Sequence, residues 1–259
     1  MSDATARRRW VAWALVAAAA IGALAWAVAR TRGLDEQTQA TNPIFRWEYL
    51  LVRERTPEEL WARTREHLEL TVVPVVLGTV LSGVLAALVL RFRVLQGTVF
   101  TLAGVLYTIP SLALFGILST YVSNWTSAVA ALTTYTLLII TRNIVAGIDG
   151  VSPAALDAAD GLGMGRRQRL LAVELPLATP VILTGIRVAT VTTVGLVGIS
   201  KVIQLGGLAS YVFDGFNRDY STLIILGSAS MVLLAVVLDL ALRGVERLLT
   251  PWARRAGAR

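Results

Sequence analysis

The sequence predicts an all-α membrane protein with about six transmembrane helices. Of its 259 residues, 55% are hydrophobic and 16% are charged, whereas soluble domains carry roughly 45–50% apolar and about 25% charged residues. The charges are also clustered, and they leave apolar runs of roughly the 20 residues that a helix needs to cross the hydrocarbon core. Composition and patterning therefore predict the class before any motif is considered.

The predicted spans follow the apolar runs in chain order. They cover residues 10–29, about 68–90, 94–120, 127–141, about 180–199 and 222–242. Basic residues accumulate before the first span, after the second, between the fourth and fifth, and after the last. Because short cytoplasmic loops are enriched in Lys and Arg, this pattern predicts a multi-pass protein of the cell inner (plasma) membrane with both termini in the cytoplasm.

The chain divides into four predicted regions. These are an N-terminal transmembrane helix (1–29), an external segment with an interfacial helix (30–67), a core (68–242) and a basic cytoplasmic tail (243–259). The first run could instead be a cleaved signal peptide, because the run is preceded by arginines and ends in Ala27-Val28-Ala29. Its length and its three tryptophans favour a retained helix.

The segment before the second span carries a helix-start signal. Thr56 can cap the first amides, Pro57 suits the first helical position, and Glu59 can complete a capping box. The single histidine of the chain, His67, follows on this helix. We expect His67 at a surface or at the membrane interface.

Several function classes are disfavoured by what the sequence lacks. There is no cysteine, so neither a disulfide framework nor a thiolate metal site is expected. The net charge of +7 comes from arginines beside apolar runs, which is typical of membrane anchoring, and no nucleic-acid partner is predicted. No phosphate-binding Gly-x-x-x-x-Gly-Lys-Ser/Thr loop is present. We predict no catalytic residues, no cofactor and no metal.

The loop between the fourth and fifth spans, residues 152–176, has the most informative pattern. Ser152 and Pro153 predict the start of a short helix, and glycines at 161, 163 and 165 predict its break. A second short helix is expected to end before Pro176. Two amphipathic helices joined by a glycine corner on the cytoplasmic side suit docking into a groove on a partner. Gly163 is expected at positive φ.

This loop resembles the EAA loop of permeases from binding-protein-dependent ABC importers. That pattern is Glu-Ala-Ala, three intervening residues, a glycine, nine intervening residues, an isoleucine, one further residue and a closing Leu-Pro. The matching positions here are Asp157, Ala158, Ala159, Gly163, Val173, Leu175 and Pro176. Only the aspartate and the valine depart from the family residues. The resemblance extends over about residues 68–242, and it implies the five-helix core of a type I ABC importer permease plus an extra N-terminal helix.

Within that family, the segments 173–178, 186–190 and 205–208 are most similar to permeases for osmoprotectants such as glycine betaine, choline and carnitine. Residues 198–202 depart from those permeases. The resemblance implies a translocation path for a small compatible solute, coupled through the loop to separate ABC ATPase subunits. It further implies a second permease subunit, an external solute-binding protein and the lipid bilayer as partners.

Polar and aromatic residues inside the spans suggest a path, although helix packing would account for them equally well. Tyr107, Ser111 and Tyr135 could line it, because aromatic faces attract cations by about 0.5–2 kcal/mol. Arg187 and Asp239 lie at similar depth, which permits a pairing, although a lipid headgroup contact would also account for Arg187. The alternative function is an ATPase-independent secondary transporter or channel. That class needs intramembrane carboxylates for a driving ion, and Asp239 alone is a poor candidate.

Overall fold

The computed structural model describes residues 57–252, and every regular element within that range is helical. The predicted first span, most of the external segment and the end of the tail lie outside the described residues. In chain order the α-helices are α1 (Pro57–Arg91), α2 (Leu95–Thr108), α3 (Ser111–Ser119), α4 (Asn124–Asp149), α5 (Pro153–Gly161), α6 (Arg166–Arg169), α7 (Leu175–Val197), α8 (Ala209–Asn217) and α9 (Ser221–Leu249). A π-helical turn (Leu170–Glu174) precedes α7, and a 3₁₀ segment (Gly198–Ile203) follows it.

Five of the predicted spans fall within the described residues. Four helical stretches are long and apolar enough to cross a membrane, namely Glu58–Arg91, Asn124–Asp149, Arg166–Ile203 and Ser221–Leu249. The fifth consists of α2 and α3, which are bent by 86° relative to each other. The all-helical membrane class is thereby confirmed. The predicted interfacial helix is continuous with the second span, since α1 runs without a break over 35 residues from Pro57.

The third span is broken at Ile109 and Pro110, where a single helix was expected. Proline has no N–H to donate to the preceding turn, and it disfavours a helical conformation in the residue before it. Both residues are extended, with ψ of 128° and 126°. The 14-residue α2 is only about 21 Å long at 1.5 Å per residue, so it does not cross a bilayer without α3.

Helix α4 is the centre of the bundle and packs against both α1 and α7. The contacts depend on small residues, as is usual between helices in lipid. Gly78 of α1 lies against Thr136, and Gly185 of α7 lies against Asn143. At either glycine a side chain would collide with α4. This packing fixes the position of α7, which continues from the loop that the sequence singled out.

His67 is buried, and its predicted exposed position is wrong. The residue has no accessible surface, and its Nε2 lies 3.1 Å from the Val194 carbonyl oxygen of α7. The segment 198–208, here called the double-glycine turn, packs against His67. Gly207 of that turn has φ of +51°, and a Cβ there would lie 2.8 Å from His67 Cα. The charged sequence before His67 gave no sign of this covering turn.

Candidate functional site

The two-helix loop, residues 152–176, begins as the sequence predicts. Ser152 is extended, and its hydroxyl accepts a hydrogen bond from the Ala155 N–H at 3.4 Å. Pro153 occupies the first position of α5, where its missing N–H has no helical partner to lose. Ala159 is the buried residue of α5. The start of the loop is therefore fixed by a cap that satisfies one of the free amides.

The corner after α5 has the geometry of a helix ended by glycine. Gly163 has φ of +73°, which confirms the expected left-handed conformation. Its N–H donates to the Asp160 carbonyl at 2.9 Å, and the Met164 N–H donates to the Ala159 carbonyl at 3.1 Å. These two bonds define a Schellman motif, which satisfies carbonyls at the end of the helix. A Cβ at Gly163 would contact nothing within 4 Å, so the requirement for glycine is conformational.

The two-helix loop exposes apolar side chains on both sides of its glycine corner. Leu162 is 76% exposed and Leu171 is 54% exposed. Among the residues that match the EAA pattern, Asp157, Ala158 and Gly163 are exposed, whereas Val173, Leu175 and Pro176 are half-buried and Ala159 is buried. The structure thus separates an exposed corner from a closing segment that packs on the bundle.

Arg169 connects the two parts of the loop. Its Nη1 donates to both carboxylate oxygens of Asp160, at 2.8 and 2.7 Å. Its Nε donates to Glu174 Oε1 at 2.9 Å. Sequence reasoning missed this cluster, because Asp160 is nine residues away and meets Arg169 only after the chain turns at the glycine corner.

The loop leads directly into the long helix, which is the helical stretch Arg166–Ile203. Its first part comprises α6 and the π-helical turn, in which the Leu175 N–H donates to the Leu170 carbonyl five residues back. Its last part reaches the double-glycine turn and the buried His67 through Val194. A single helical stretch thus joins the two-helix loop to the opposite end of the bundle.

The predicted path residues meet at the break between α2 and α3. The Tyr135 hydroxyl donates to the Ile109 carbonyl at 2.6 Å. The Tyr107 ring lies edge-on to the Tyr135 ring, with centroids 6.0 Å apart and an angle of 77° between the planes. Tyr107 is exposed and Tyr135 is buried. Ser111 is half-buried and begins α3 two residues after Ile109, so all three residues belong to one region.

Of the two interpretations of Arg187, the structure shows the pairing with Asp239, and it enlarges the pair into a cluster. Arg187 Nε donates to Asp239 Oδ1 at 2.8 Å, and its Nη1 donates to Glu246 at 3.2 Å. Arg243 Nε lies 2.8 Å from Asp239 Oδ2. The spacing of 239, 243 and 246 on one face of α9 was a signal that could have revealed the additional members. Within residues 57–252, no three His, Asp or Glu side chains are grouped so that they could hold a metal ion.

A second bidentate pair lies beside the two-helix loop without entering it. Arg93, in the turn between α1 and α2, donates to both oxygens of Asp149 at 2.9 and 2.6 Å. The hydrogen bond to Asp149 raises the pKa of Arg93. This pair ties the α1–α2 turn to the end of α4.

Comparison with protein families gives a match over most of this core. Residues 79–255 match the model of the family described as binding-protein-dependent transport system inner membrane component. The matched range contains the two-helix loop, the long helix and the residues at the helix break.

Curated relatives cover three quarters of the chain. The choline transport system permease protein OpuBB of Bacillus subtilis is 35% identical over 74% of this chain and 89% of its own length. The glycine betaine/carnitine/choline transport system permease protein OpuCB of the same species is 34% identical over the same shares. The osmoprotectant import permease protein OsmW of Salmonella typhimurium is 37% identical over 73% of this chain and 90% of its own length.

Solved structures show the same fold at lower sequence identity. An inward-facing structure of the MetNI methionine ABC transporter superposes with a TM-score of 0.63 at 20% identity, over 74% of this chain and 96% of the other. A structure of an amino acid ABC transporter with histidines gives a TM-score of 0.62 at 21% identity, over 73% and 94%. The described helices therefore have the fold of ABC importer permeases.

Proposed function

This chain belongs to the family of binding-protein-dependent transport system inner membrane components, and we propose that it carries small osmoprotectants such as choline, glycine betaine and carnitine. It is a multi-pass permease subunit of the inner membrane, and its family implies an ATPase and a solute-binding protein as partners. The observation that carries the choice of solute is its 34–37% identity to the permeases OpuBB, OpuCB and OsmW, which are named for these solutes or for osmoprotectants as a class.

We propose that the two-helix loop is the docking element for the ATPase. Leu162 and Leu171 offer apolar surface at the end of the bundle where the chain is otherwise charged. Exposed apolar side chains rimmed by polar residues are typical of interaction sites. The Schellman corner at Gly163 fixes the angle between α5 and the long helix. A partner that pushes on α5 therefore acts on a helix that spans the membrane.

The helix break is proposed as part of the translocation path. Tyr107 and Tyr135 place two aromatic rings beside extended backbone at Ile109 and Pro110. A quaternary ammonium group has no N–H to donate in a hydrogen bond. Aromatic faces and carbonyl dipoles are therefore the groups that can hold it. The attraction of about 0.5–2 kcal/mol is weak enough for release, as a transit contact requires. Ser111 would contact the polar end of the same solute.

The remaining features of the assembly are proposals of the same kind. The permease is expected to pair with a second permease subunit, either a copy of itself or a related chain. The two-helix loop and both termini are expected in the cytoplasm, as the arginine distribution predicts. Because the sequence contains no phosphate-binding loop, ATP hydrolysis is assigned to the partner and not to this chain.

The ATPase-independent alternative has less support. A secondary transporter needs an ion site that charges and discharges within the membrane. Among the described residues, Asp239 is held by Arg187 and Arg243. A carboxylate compensated by two guanidinium groups is a poor carrier of a driving ion, because its charge is already neutralised.

Reconstitution tests the proposed function directly. The permease, its ATPase and its solute-binding protein are placed in vesicles, and uptake of radiolabelled choline and glycine betaine is followed with ATP or with ADP. We expect uptake only with ATP and only with all components present. Uptake in vesicles that lack the ATPase would favour the secondary transporter. ATP-driven uptake of methionine with neither of these solutes would contradict the proposed solute class.

A further inference from the structure

The joint between the two-helix loop and the long helix is poor in backbone hydrogen bonds. The π-helical turn Leu170–Glu174 widens the helix by one residue, and such turns are rare and frequently occur at functional sites. Pro176 follows two residues after Glu174 and has no N–H to donate to the preceding turn. Pro180 lies one turn further on. The π-helical turn and the two prolines therefore interrupt the regular backbone bonding in this part of the long helix.

Arg169 bridges the joint through its side chain. It binds Asp160 of α5 on one side of the glycine corner and Glu174 at the end of the π-helical turn on the other. Glu174 is the more buried of the two carboxylates, with 14% of its side chain exposed against 54% for Asp160. A planar guanidinium has five donors in a fixed fork, so it can hold two carboxylates at a set angle.

We propose that Arg169 is a positioning residue that makes α5 and the long helix move as one body. With Arg169 in place, a push on α5 is delivered past the π-helical turn to the membrane-spanning part of the long helix. Without it, the push is absorbed by bending at Leu170–Glu174. The inference rests on the proposed function, because it requires that a partner ATPase act on α5.

The structure shows where the transmitted movement would arrive. The far end of the long helix contacts α1 through Val194 and His67, and Gly198 packs on Ala209 of α8. These contacts are buried, so a displacement of the helix must also move the double-glycine turn. Arg169 thus sits beside a part of this path, the π-helical turn, where the backbone bonding of the helix is irregular.

The experiment separates docking from transmission. Wild type, Arg169→Gln and Arg169→Lys are purified as the full assembly with ATPase and solute-binding protein and reconstituted in vesicles. Co-purification of the ATPase, thermal unfolding, ATP hydrolysis and solute uptake are measured. For Arg169→Gln we expect unchanged co-purification of the ATPase. The number of solute molecules moved per ATP should fall roughly fivefold, which is at the lower end of typical coupling between sites. Lysine presents a point charge and not a fork, so Arg169→Lys should be intermediate.

The matched control is Arg93→Gln. Arg93 also forms a bidentate pair with a carboxylate at the same end of the bundle, but it lies outside residues 152–176. Its loss should leave the ratio of solute to ATP unchanged. An unchanged ratio in Arg169→Gln, or an equal fall in Arg93→Gln, would overturn the proposal. Loss of ATPase co-purification in Arg169→Gln would also overturn it, because Arg169 would then serve docking itself.

A covalent tie tests the mechanical role without charge. The chain has no natural cysteine, so Asp160→Cys with Glu174→Cys, the two positions that Arg169 connects, can be joined by a short bis-maleimide before the ATPase is added. The unjoined double variant should be uncoupled, and joining should raise the solute-to-ATP ratio again. A joined variant that stays uncoupled would contradict the proposal that a tie between α5 and the long helix transmits the movement. Absence of ATP-driven uptake in wild type would instead contradict the proposed function.

Discussion

Two glycines with the same backbone conformation stand beyond opposite ends of the long helix, in different surroundings. Gly163 precedes the helix and has φ of +73°, and Gly207 follows it with φ of +51°. A Cβ at Gly163 would contact nothing within 4 Å. A Cβ at Gly207 would lie 2.6 Å from the His67 Cβ and 2.8 Å from the His67 backbone nitrogen.

The difference distinguishes a corner that is held open from a turn that is closed on the bundle. At Gly207 the chain needs both the left-handed conformation and the absence of a side chain, because main-chain atoms of α1 occupy the space. At Gly163 only the conformation is required, and the space around it is open, as the proposed docking of an ATPase needs. The same residue type thus serves internal packing at one end and presentation of a surface at the other. The following predictions test this contrast through the stability of the folded permease.

The largest loss of stability is expected for Gly207→Leu. The left-handed conformation costs a residue with a side chain about 1–2 kcal/mol, and the new Cβ also collides with the backbone of His67, which cannot rotate away. We expect most of the protein to be lost from the folded fraction in detergent, measured by size-exclusion chromatography and thermal unfolding. Gly104→Leu in α2 is the matched control, since a Cβ there contacts nothing within 4 Å. Equal recovery of the two variants would show that the double-glycine turn is not packed on α1.

A smaller loss is expected when the cluster between α7 and α9 is opened. The side chains of Arg187 and Asp239 are 19% and 20% exposed, so removing one partner should cost about 1–3 kcal/mol, between the values for exposed and buried pairs. Asp239→Ala should be the worse change, because it deprives Arg187 and Arg243 of a shared carboxylate. The double variant should lose less than the sum of the single losses. Strict additivity in thermal unfolding would count against the pairing.

Gly163→Leu should affect stability less and transport more. The left-handed strain of about 1–2 kcal/mol falls on an exposed corner, so the loop can relax without disturbing the bundle. Insertion and thermal unfolding should stay close to those of wild type. ATPase co-purification and ATP-driven uptake should fall by roughly tenfold or more, because a loss of about 1.4 kcal/mol in the binding free energy of the ATPase lowers its affinity tenfold. Full uptake by this variant would remove the docking role from the corner.

The smallest effect is expected from single cysteines that report which end faces the cytoplasm. Gly165→Cys lies in open space near the corner, and Tyr121→Cys replaces an 82% exposed residue beside the start of α4. Neither change should alter stability. A membrane-impermeant maleimide added to intact cells should label position 121 and leave position 165 unlabelled. The reverse pattern would invert the orientation predicted from the arginines.

Sequence reasoning located the spans and the loop because both depend on local rules. Apolar runs of membrane length, the Ser152–Pro153 helix start and the glycine of the corner are each specified within a few residues. The Arg187–Asp239 pair was also predictable, since two opposite charges at similar depth in a membrane have few alternatives.

The features that sequence reasoning missed depend on contacts that form only when the chain folds. His67 is buried by a turn that comes more than 130 residues later in the chain. No sequence pattern near His67 predicts this burial. Arg169 finds Asp160 only through the glycine corner. The bend at Pro110 had a local signal, but the 86° angle is set by the packing of α3 against the double-glycine turn, where Phe115 is buried in the same cluster as Ile203.

The exposed leucines of the two-helix loop also have a consequence for the life of the protein in the cell. A copy synthesised without its ATPase would display Leu162 and Leu171 to water at the end of an otherwise folded bundle. Proteases and chaperones recognise accessible apolar segments, and a steady supply of such orphans is removed or aggregates. We therefore expect the cellular amount of this permease to follow the supply of its ATPase, so that surplus copies turn over faster than assembled ones.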